Sequence, residues 1–314
     1  MSVSIVWFRR DLRLTDNLAI TAARNKGLPI ICLYNLDTER LIQPDVDSIH
    51  IEWELDCLRE LQKEIELIGG VLLFNHGSII KKLNEINKMK KIEAIFGNEE
   101  TGLQWSWDRD RLVTNWCNSK NIKFKEFPTN GVIRKLKSRD DWKNQRDFRV
   151  HKAVIMPITE IVSPEGISSD SIPEINEFGI SSRSLIYRPK PGEKAALIQL
   201  NSFLDERGRT YRKDISSPIS AKYACSRLSP YISTGCISIR QILYHVNKKL
   251  DLVKQNPRSK ENLGWTGSLS SFKSRLAWHC HFIQRLELEV TLDNTAMNPE
   301  IDVHMKRTMV HEKF

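Results

Sequence analysis

Five short apolar runs punctuate the first 127 residues, at 3–8, 28–33, 71–74, 92–96 and 122–127. Each is separated from the next by a stretch with helical spacing; the fifth alternates apolar and charged residues, and the first four are predominantly apolar. A strand of that kind must be covered on both faces, which a parallel sheet sandwiched between helices provides. Thr15 and Asp16 offer caps to a helix over 17–25 that Gly27 closes, and Leu55, Leu58, Leu61, Ile65 and Ile68 keep three-to-four spacing through a long helix over 48–68. Helical spacing recurs over 78–87 and 107–118. The pattern predicts a doubly wound α/β domain on a five-stranded parallel sheet, with ligands beyond the carboxyl ends of its strands. Arg9-Arg10-Asp11-Leu12-Arg13 occupies the first turn in place of G-x-G-x-x-G, which argues against the usual dinucleotide site. Neither a P-loop nor H-E-x-x-H occurs.

The texture then changes twice. Residues 131–188 carry turn signals at Asn130-Gly131, Pro157, Pro164 and Pro173 and polar serine-rich stretches, as a long connector with short helices at most would. From 189 to 314 the patterns are helical. Leu197, Leu200 and Leu204 line a helix over 193–206 that Gly208 ends. Ser229 reads as an N-cap before Pro230, and Gly235 closes that turn. Ser238 caps a helix over 239–250, and a long helix spans 269–288. The division is 1–130 as the α/β domain, 131–188 as connector and 189–314 as an all-helical lobe.

Hydrophobic residues make up 40% of the 314 and charged residues 28%, which fits a globular protein and excludes collagen-like and low-complexity classes. No run of about 18 apolar residues is present, so no membrane helix is expected. Net charge is +9. Such an excess suits contact with polyanions and equally a solvated surface. Cysteines 32, 57, 117, 225, 236 and 280 form no C-x-x-C and sit in apolar runs, as buried free thiols do. The amino terminus lacks the features of a signal peptide, so a reducing, cytoplasmic setting is expected.

Three stretches could carry chemistry. Tyr211 and the run Cys225-Ser226-Arg227-Leu228-Ser229-Pro230 bring hydroxyls, a guanidinium and a helix start together, which suits a phosphate or pyrophosphate; a plain serine cap beside a surface arginine accounts for the same spacing. Phe272, Arg275, Trp278, His279 and Phe282 fall on one stripe of a helix, as the wall of a cavity for planar rings or as a core face with Arg275 at its margin. Asn98, Glu99 and Glu100 follow the fourth strand, where they could hydrogen-bond a heterocycle or form a polar loop. Basic clusters at Arg134, Lys135, Lys137 and Arg139 and at Arg207, Arg209, Arg212 and Lys213 could contact phosphates. His279 and His281 point about 200° apart on a helix, so a shared metal ion is rejected.

Taken together these motifs resemble the cryptochrome/photolyase family. Val6-Trp7-Phe8-Arg9-Arg10-Asp11-Leu12-Arg13-Leu14 with Asp16-Asn17-Leu18-Ala19 is similar to its first strand and helix. Glu100-Thr101-Gly102, residues 107–116 and Asn130-Gly131-Val132-Ile133-Arg134 match the passage out of its first domain. Ser226-Arg227-Leu228-Ser229-Pro230-Tyr231-Ile232-Ser233-Thr234-Gly235 resembles its flavin phosphate segment, and 272–288 its cavity-lining helix. The resemblance implies an antenna domain, a linker and a helical FAD-binding domain. It also implies repair of UV-damaged DNA by light-driven electron transfer from FAD to a flipped-out pyrimidine lesion. The alternatives are a cryptochrome-type photoreceptor or a non-catalytic α/β remnant.

By position the resemblance places Tyr211, Cys225, Ser226, Arg227, Leu228, Ser229, Phe272 and His279 on FAD. Trp278 becomes the lesion platform with Arg275 beside it, and Asn98, Glu99 and Glu100 face an antenna chromophore of folate or deazaflavin type. The family usually has Thr at Cys225, Trp at Phe272, an acidic or amide residue at Arg275 and Arg at His279. Arginine at 275 inverts the charge that would face a lesion. The family's helical domain also continues past Phe314. A fragment, or a chain completed by a second one, is therefore expected, with weak FAD binding and a tendency to aggregate when alone.

Overall fold

The computed structural model describes residues 2–304 apart from 44, 186 and 294. Its first lobe is a parallel sheet of β1 (Ser2–Phe8), β2 (Ile30–Leu36), β3 (Leu72–His76), β4 (Lys91–Asn98) and β5 (Lys123–Phe127), in the spatial order β3-β2-β1-β4-β5. Every neighbouring pair is parallel, and β1 lies in the centre between β2 and β4. Its residues Val3 to Phe8 are fully buried, as a strand covered on both faces requires. Helices α1 (Leu18–Asn25), α2 (Thr38–Leu41), α3 (Ser48–Leu67), α4 (Ile79–Met89) and α5 (Gln104–Ser119) complete the lobe. One apolar layer gathers Ile20, Leu55, Leu58 and Ile65 against one face of the sheet. The other gathers Leu83, Ile86, Val113 and Trp116 against the opposite face.

The connector carries α6 (Trp142–Val150) and a short 3₁₀ turn at Ile175–Phe178. It is pinned to the first lobe by main-chain bonds, Ile155 O accepting from Asp16 N and Val162 O from Ile30 N. The second lobe contains α7 (Glu193–Asp205), α8 (Tyr211–Asp214), α9 (Pro218–Ala224), α10 (Ser229–Thr234), α11 (Ile239–Gln255), α12 (Trp265–Leu288) and α13 (Pro299–His304). No helix among the described residues is long and apolar enough to cross a membrane.

Several local expectations shift. Asn17, not Thr15 or Asp16, caps α1: its Oδ1 accepts from Ile20 N at 3.2 Å. Asp16 instead crosses to the second lobe, where its carboxylate accepts from Ser238 Oγ at 2.5 Å and Arg240 Nε at 2.8 Å. Ser229 is the first residue of α10 and not its cap. Leu228 occupies the cap position in a helical conformation, with no side-chain bond. Gly208 does not end α7; it lies in the following 3₁₀ turn and packs on Phe203. Helix α12 begins at Trp265, four residues before the expected start, because its first turn buries Trp265 and Leu269 together.

The lobes share a continuous apolar core in which Leu12, Trp53 and Leu58 meet Tyr231, Cys236 and Ile239. At the seam Leu12 N donates to Thr234 O and Arg13 to Gly235 O at 2.8 Å. Gly235 has φ 72, and a Cβ there would sit 2.1 Å from Arg10 O, so only glycine permits this approach.

Candidate functional site

The chain reverses direction across the sheet between β1 and β4, and the crevice beyond their carboxyl ends is the usual ligand site of a doubly wound sheet. Here the protein fills it with its own charges. Arg9 is buried; it donates to Asp110 at 2.9 Å, to Glu126 at 2.7 Å and to the Asn98 carbonyl. Arg109 bridges Asp37 at 2.9 Å, Glu100 at 2.6 Å and Asp110 at 2.9 Å. Both guanidiniums lie over the Trp7 ring, at 4.5 and 4.9 Å. Burial would raise the Glu100 carboxyl, but Arg109, Arg10 and Arg9 hold it down at about 2.

This geometry constrains the expected antenna residues. Asn98 Nδ2 already donates to Asp11 at 2.6 Å and to Asn17 at 2.8 Å, and Glu100 is buried against Arg109. Their hydrogen-bonding capacity is directed inward, because unpaired polar groups in so buried a place would be costly. Glu99 pairs with Arg149 at 2.9 Å, yet it also lines a cavity of about 540 Å³ with Trp107, Arg134 and Glu287.

Glu287 was not among the residues singled out from sequence. Its carboxylate oxygens are buried, with the Trp107 indole N–H and the Gly102 N–H as nearby donors. Burial pushes its carboxyl up to about 7, with Arg134 pulling the other way. The signal was present: the steps Leu276, Cys280, Gln284, Glu287 run along the buried face of α12, so the glutamate stands where an apolar residue would be expected.

In the second lobe the structure brings some of the flavin-side candidates together and separates others. The Tyr211 ring packs on Phe272 at 5.7 Å and on Phe203 at 5.6 Å. Burial pushes its hydroxyl up to about 12, with Cys225 raising it and Arg275 lowering it, so those two groups lie within electrostatic reach. Of these candidates, Tyr211 and Phe272 are in direct contact. Two turns along α12, His279 is half-buried, its Nδ1 without a partner and its imidazole held below the usual range by burial.

Arg227 and Ser229 face elsewhere. Arg227 sits at φ 57, donates to the Lys222 carbonyl and lies 5.8 Å from the Tyr187 ring centre. It lines a cavity of about 730 Å³ with Arg207, Lys222 and Tyr223. Leu228 is buried in the shared core. Ser229 lines a cleft of about 520 Å³ between the lobes with Arg10, Arg40, Trp53 and Glu54. Neither space is lined by a residue of α12. The Ser226 carbonyl accepts from Gln199 Nε2 at 3.0 Å. Arg207, expected as a phosphate contact, is directed inward; it donates to the carbonyls of Cys225 and Gln199 and braces the segment from behind.

The expected five-residue stripe divides. Phe272 belongs to the buried face with Leu276 and Cys280, whereas Arg275, Trp278 and Phe282 are exposed, Trp278 at 49%. Ten positions along an α-helix turn through about 1000°, so a stripe from 272 to 282 drifts off the core face. The Arg275 guanidinium lies 4.1 Å from the Trp278 ring centre and covers one side of the indole. Arg134 stacks on Trp107 at 3.7 Å and also bonds Asp110.

A family model described as DNA photolyase matches residues 4–153. A deoxyribodipyrimidine photo-lyase from Synechococcus sp. is 27% identical over 260 residues, covering 76% of this chain and 52% of its own length. The chain is similar to members of the cryptochrome/photolyase family. A cryptochrome DASH from Idiomarina loihiensis is 23% identical, covering 75% of this chain and 55% of its own. The chain thus spans about half the length of these two relatives. Among solved structures, a bacterial class III photolyase from Agrobacterium tumefaciens superposes with TM-score 0.76 at 20% identity, covering 98% of this chain and 64% of that one. An archaeal photolyase from Sulfolobus tokodaii, described as holding two FAD molecules, gives 0.66 at 22%, covering 96% and 63%. At these identities the structural likeness speaks for the fold, which is shared by family members of both kinds.

Proposed function

We propose that this chain is the antenna domain and first flavin-side portion of a light-driven, FAD-dependent photolyase-like protein that repairs UV pyrimidine lesions. The observation that carries this is the contact of Tyr211 with Phe272, which sets one flavin-side candidate against α12, with Cys225 and Arg275 within electrostatic reach of the Tyr211 hydroxyl. The residues suit a flavin dinucleotide: Tyr211 keeps a neutral hydroxyl to donate, Arg275 supplies positive charge, and His279 presents an unpartnered buried nitrogen. Bound FAD would supply the photoexcited electron. Tyr211, Cys225 and Ser226 would hold its phosphates, and Phe272 and His279 would border its ring. Arg227, Leu228 and Ser229 are assigned a lesser role, since their side chains serve the neighbouring clefts or the core.

Charge supports a nucleic-acid partner. Residues 189–314 hold 20 Lys and Arg against 12 Asp and Glu, so +8 of the net +9 lies in the lobe that would meet DNA. A second chromophore of folate or deazaflavin type is assigned to the cavity of Glu99, Trp107 and Glu287. There the Glu99 carboxylate accepts, and the Glu287 carboxyl, poised near neutrality beside the Trp107 indole, accepts or donates.

The photoreceptor reading has one observation in its favour. The Arg275 guanidinium lies on the Trp278 face that a flipped base would stack against. The test is a titration of the chain with FAD followed by absorbance and flavin fluorescence. Blue-light incubation with an oligonucleotide carrying a cyclobutane dimer follows. Saturable FAD binding with lesion loss above the dark control supports repair, and photoreduction without lesion loss supports the receptor. No saturable binding overturns both.

A further inference from the structure

Six cysteines are free, and four of them are alone in apolar or half-exposed surroundings. Cys57 and Cys236 differ. Cys57 lies mid-helix in α3 of the first lobe, and Cys236 lies in the turn between α10 and α11 of the second, so the pair straddles the seam. Both are fully buried. Thr234 Oγ1 lies 3.3 Å from Cys236 Sγ and 4.0 Å from Cys57 Sγ. The two thiols interact with each other and with the Gly192 N–H. Gly192 has φ 92, and a Cβ there would come within 2.8 Å of Glu60 Cβ, so glycine is what lets the main chain reach the pair.

Buried isolated thiols are driven toward the neutral form, as Cys32, Cys117 and Cys280 are. Cys236 runs against that rule. The hydrogen bond from Cys57 holds it below the ordinary thiol range, aided by Thr234 and Gly192 and by the positive charge of Arg13. That makes Cys236 the more easily ionised sulfur of the pair and its nucleophile on reaction. A cavity of about 220 Å³ between the lobes, lined by Leu12, Arg13, Leu61 and Gly192, lies beside the pair without reaching either sulfur.

We propose that Cys57 and Cys236 are a peroxide-oxidised pair that closes into a reversible disulfide across the lobe seam. The Cys236 thiolate attacks one oxygen of hydrogen peroxide. The O–O bond breaks, Cys236 becomes a sulfenic acid, and the leaving hydroxide takes a proton to form water. The Cys57 sulfur then attacks the sulfenic sulfur, the S–S bond forms, and a second water leaves with the Cys57 proton. The two thiols together lose two electrons and peroxide gains them. The product ties α3 to the α10–α11 turn, 179 positions apart in sequence, and holds the lobes in their present docking. This inference is independent of the flavin and DNA readings.

The experiment treats the full chain with hydrogen peroxide, quenches with an alkylating reagent and maps peptides without reduction. The expected result is a mass lower by two hydrogens, one linked peptide pair joining Cys57 to Cys236, and reversal by dithiothreitol. The oxidised protein should melt several degrees higher than the reduced one. Thr234→Val keeps the shape at the seam, removes the shared hydroxyl and should slow the crosslink several-fold. Cys225→Ser should leave it unchanged. Recovery of Cys57 and Cys236 as alkylated thiols at a peroxide dose that oxidises Cys225 overturns the proposal. So does their separate conversion to sulfinic acids, or linkage of either to another cysteine. The wild-type peptide map decides the matter even if the Cys57→Ser or Cys236→Ser variant fails to fold.

Discussion

The carboxyl edge of the sheet and the open side of the helical lobe are built from the same residue types and use them in opposite ways. At the edge, Arg9 and Arg109 are buried against Asp37, Glu100, Asp110 and Glu126, and even the amide of Asn98 is taken up by Asp11 and Asn17. Every charge there has an internal counterpart, so the place where doubly wound sheets bind ligands is closed. In the helical lobe Arg275 finds only the face of Trp278, and His279 keeps an unpartnered nitrogen. Pairing, more than position in the fold, separates charges that hold this protein together from charges left to meet something else.

The sharpest way to break that contrast is Arg109→Ala. It leaves the buried Asp37 without a cation and takes one partner from Glu100, which keeps Arg10, and from Asp110, which keeps Arg9 and Arg134, and should cost about 3 kcal/mol. The urea midpoint should fall accordingly, and a change under about 1 kcal/mol would mean that the edge is hydrated and open. Gly235→Ala comes next. Its Cβ collides with the Arg10 main chain at a positive φ, so a loss of roughly 3 kcal/mol is expected, with the lobes separating before the sheet unfolds. Differential scanning calorimetry would show that as two transitions in place of one.

How far these features were legible in the sequence follows the same division. The five parallel strands and the helical lobe could be read because apolar periodicity reports burial directly, as in the runs 3–8 and 28–33. Strand β2 extends to Leu36 beyond the expected Leu33 because Asn35 finds internal partners in Asp37 and Gly77, which apolar counting does not see. Site residues were harder for the same reason. Asn98 and Glu100 are polar in sequence whether their partners are a ligand or Asp11 and Arg109, contributed by residues 87 and 9 positions away. Arg207 reads as a phosphate contact until the carbonyls of Cys225 and Gln199 are seen around it. Phe272 and Trp278 separated because a ten-residue stripe turns off the core face.

Two smaller effects probe the open side. Tyr211→Phe keeps the packing on Phe203 and Phe272 and removes only the hydroxyl. If Tyr211 binds a phosphate, the FAD dissociation constant should rise about five- to tenfold, near 1 kcal/mol, with stability little changed. An unchanged constant, measured by flavin fluorescence, removes Tyr211 from the site. Glu287 tests the cavity where the two regions meet. Its carboxyl is raised from 4.5 to about 7, so folding favours the protonated form. The favourable state is present at low pH and is lost as pH rises through about 7. Stability should decline over that window by on the order of 1 kcal/mol after solvent screening, since the group is partly exposed. Glu287→Gln should flatten the profile; an unaltered profile would assign the decline to another group.

The smallest effect is the most specific to the comparison. Arg275→Gln removes the cation lying on Trp278 without touching the buried face of α12. A partly exposed cation–π pair contributes about 0.5–1 kcal/mol, so global stability should move by no more than that. What should change is access. With the guanidinium gone, both faces of the indole meet solvent, and acrylamide should quench a larger share of the tryptophan emission. The extra share is identified as Trp278 by its absence in the Arg275→Gln, Trp278→Phe double variant. A single-stranded oligonucleotide should then protect that emission, because an uncovered indole stacks on any base. If quenching is the same with and without Arg275, the indole was already free in solution, and the open side of the lobe is more open than its one stacked cation implies.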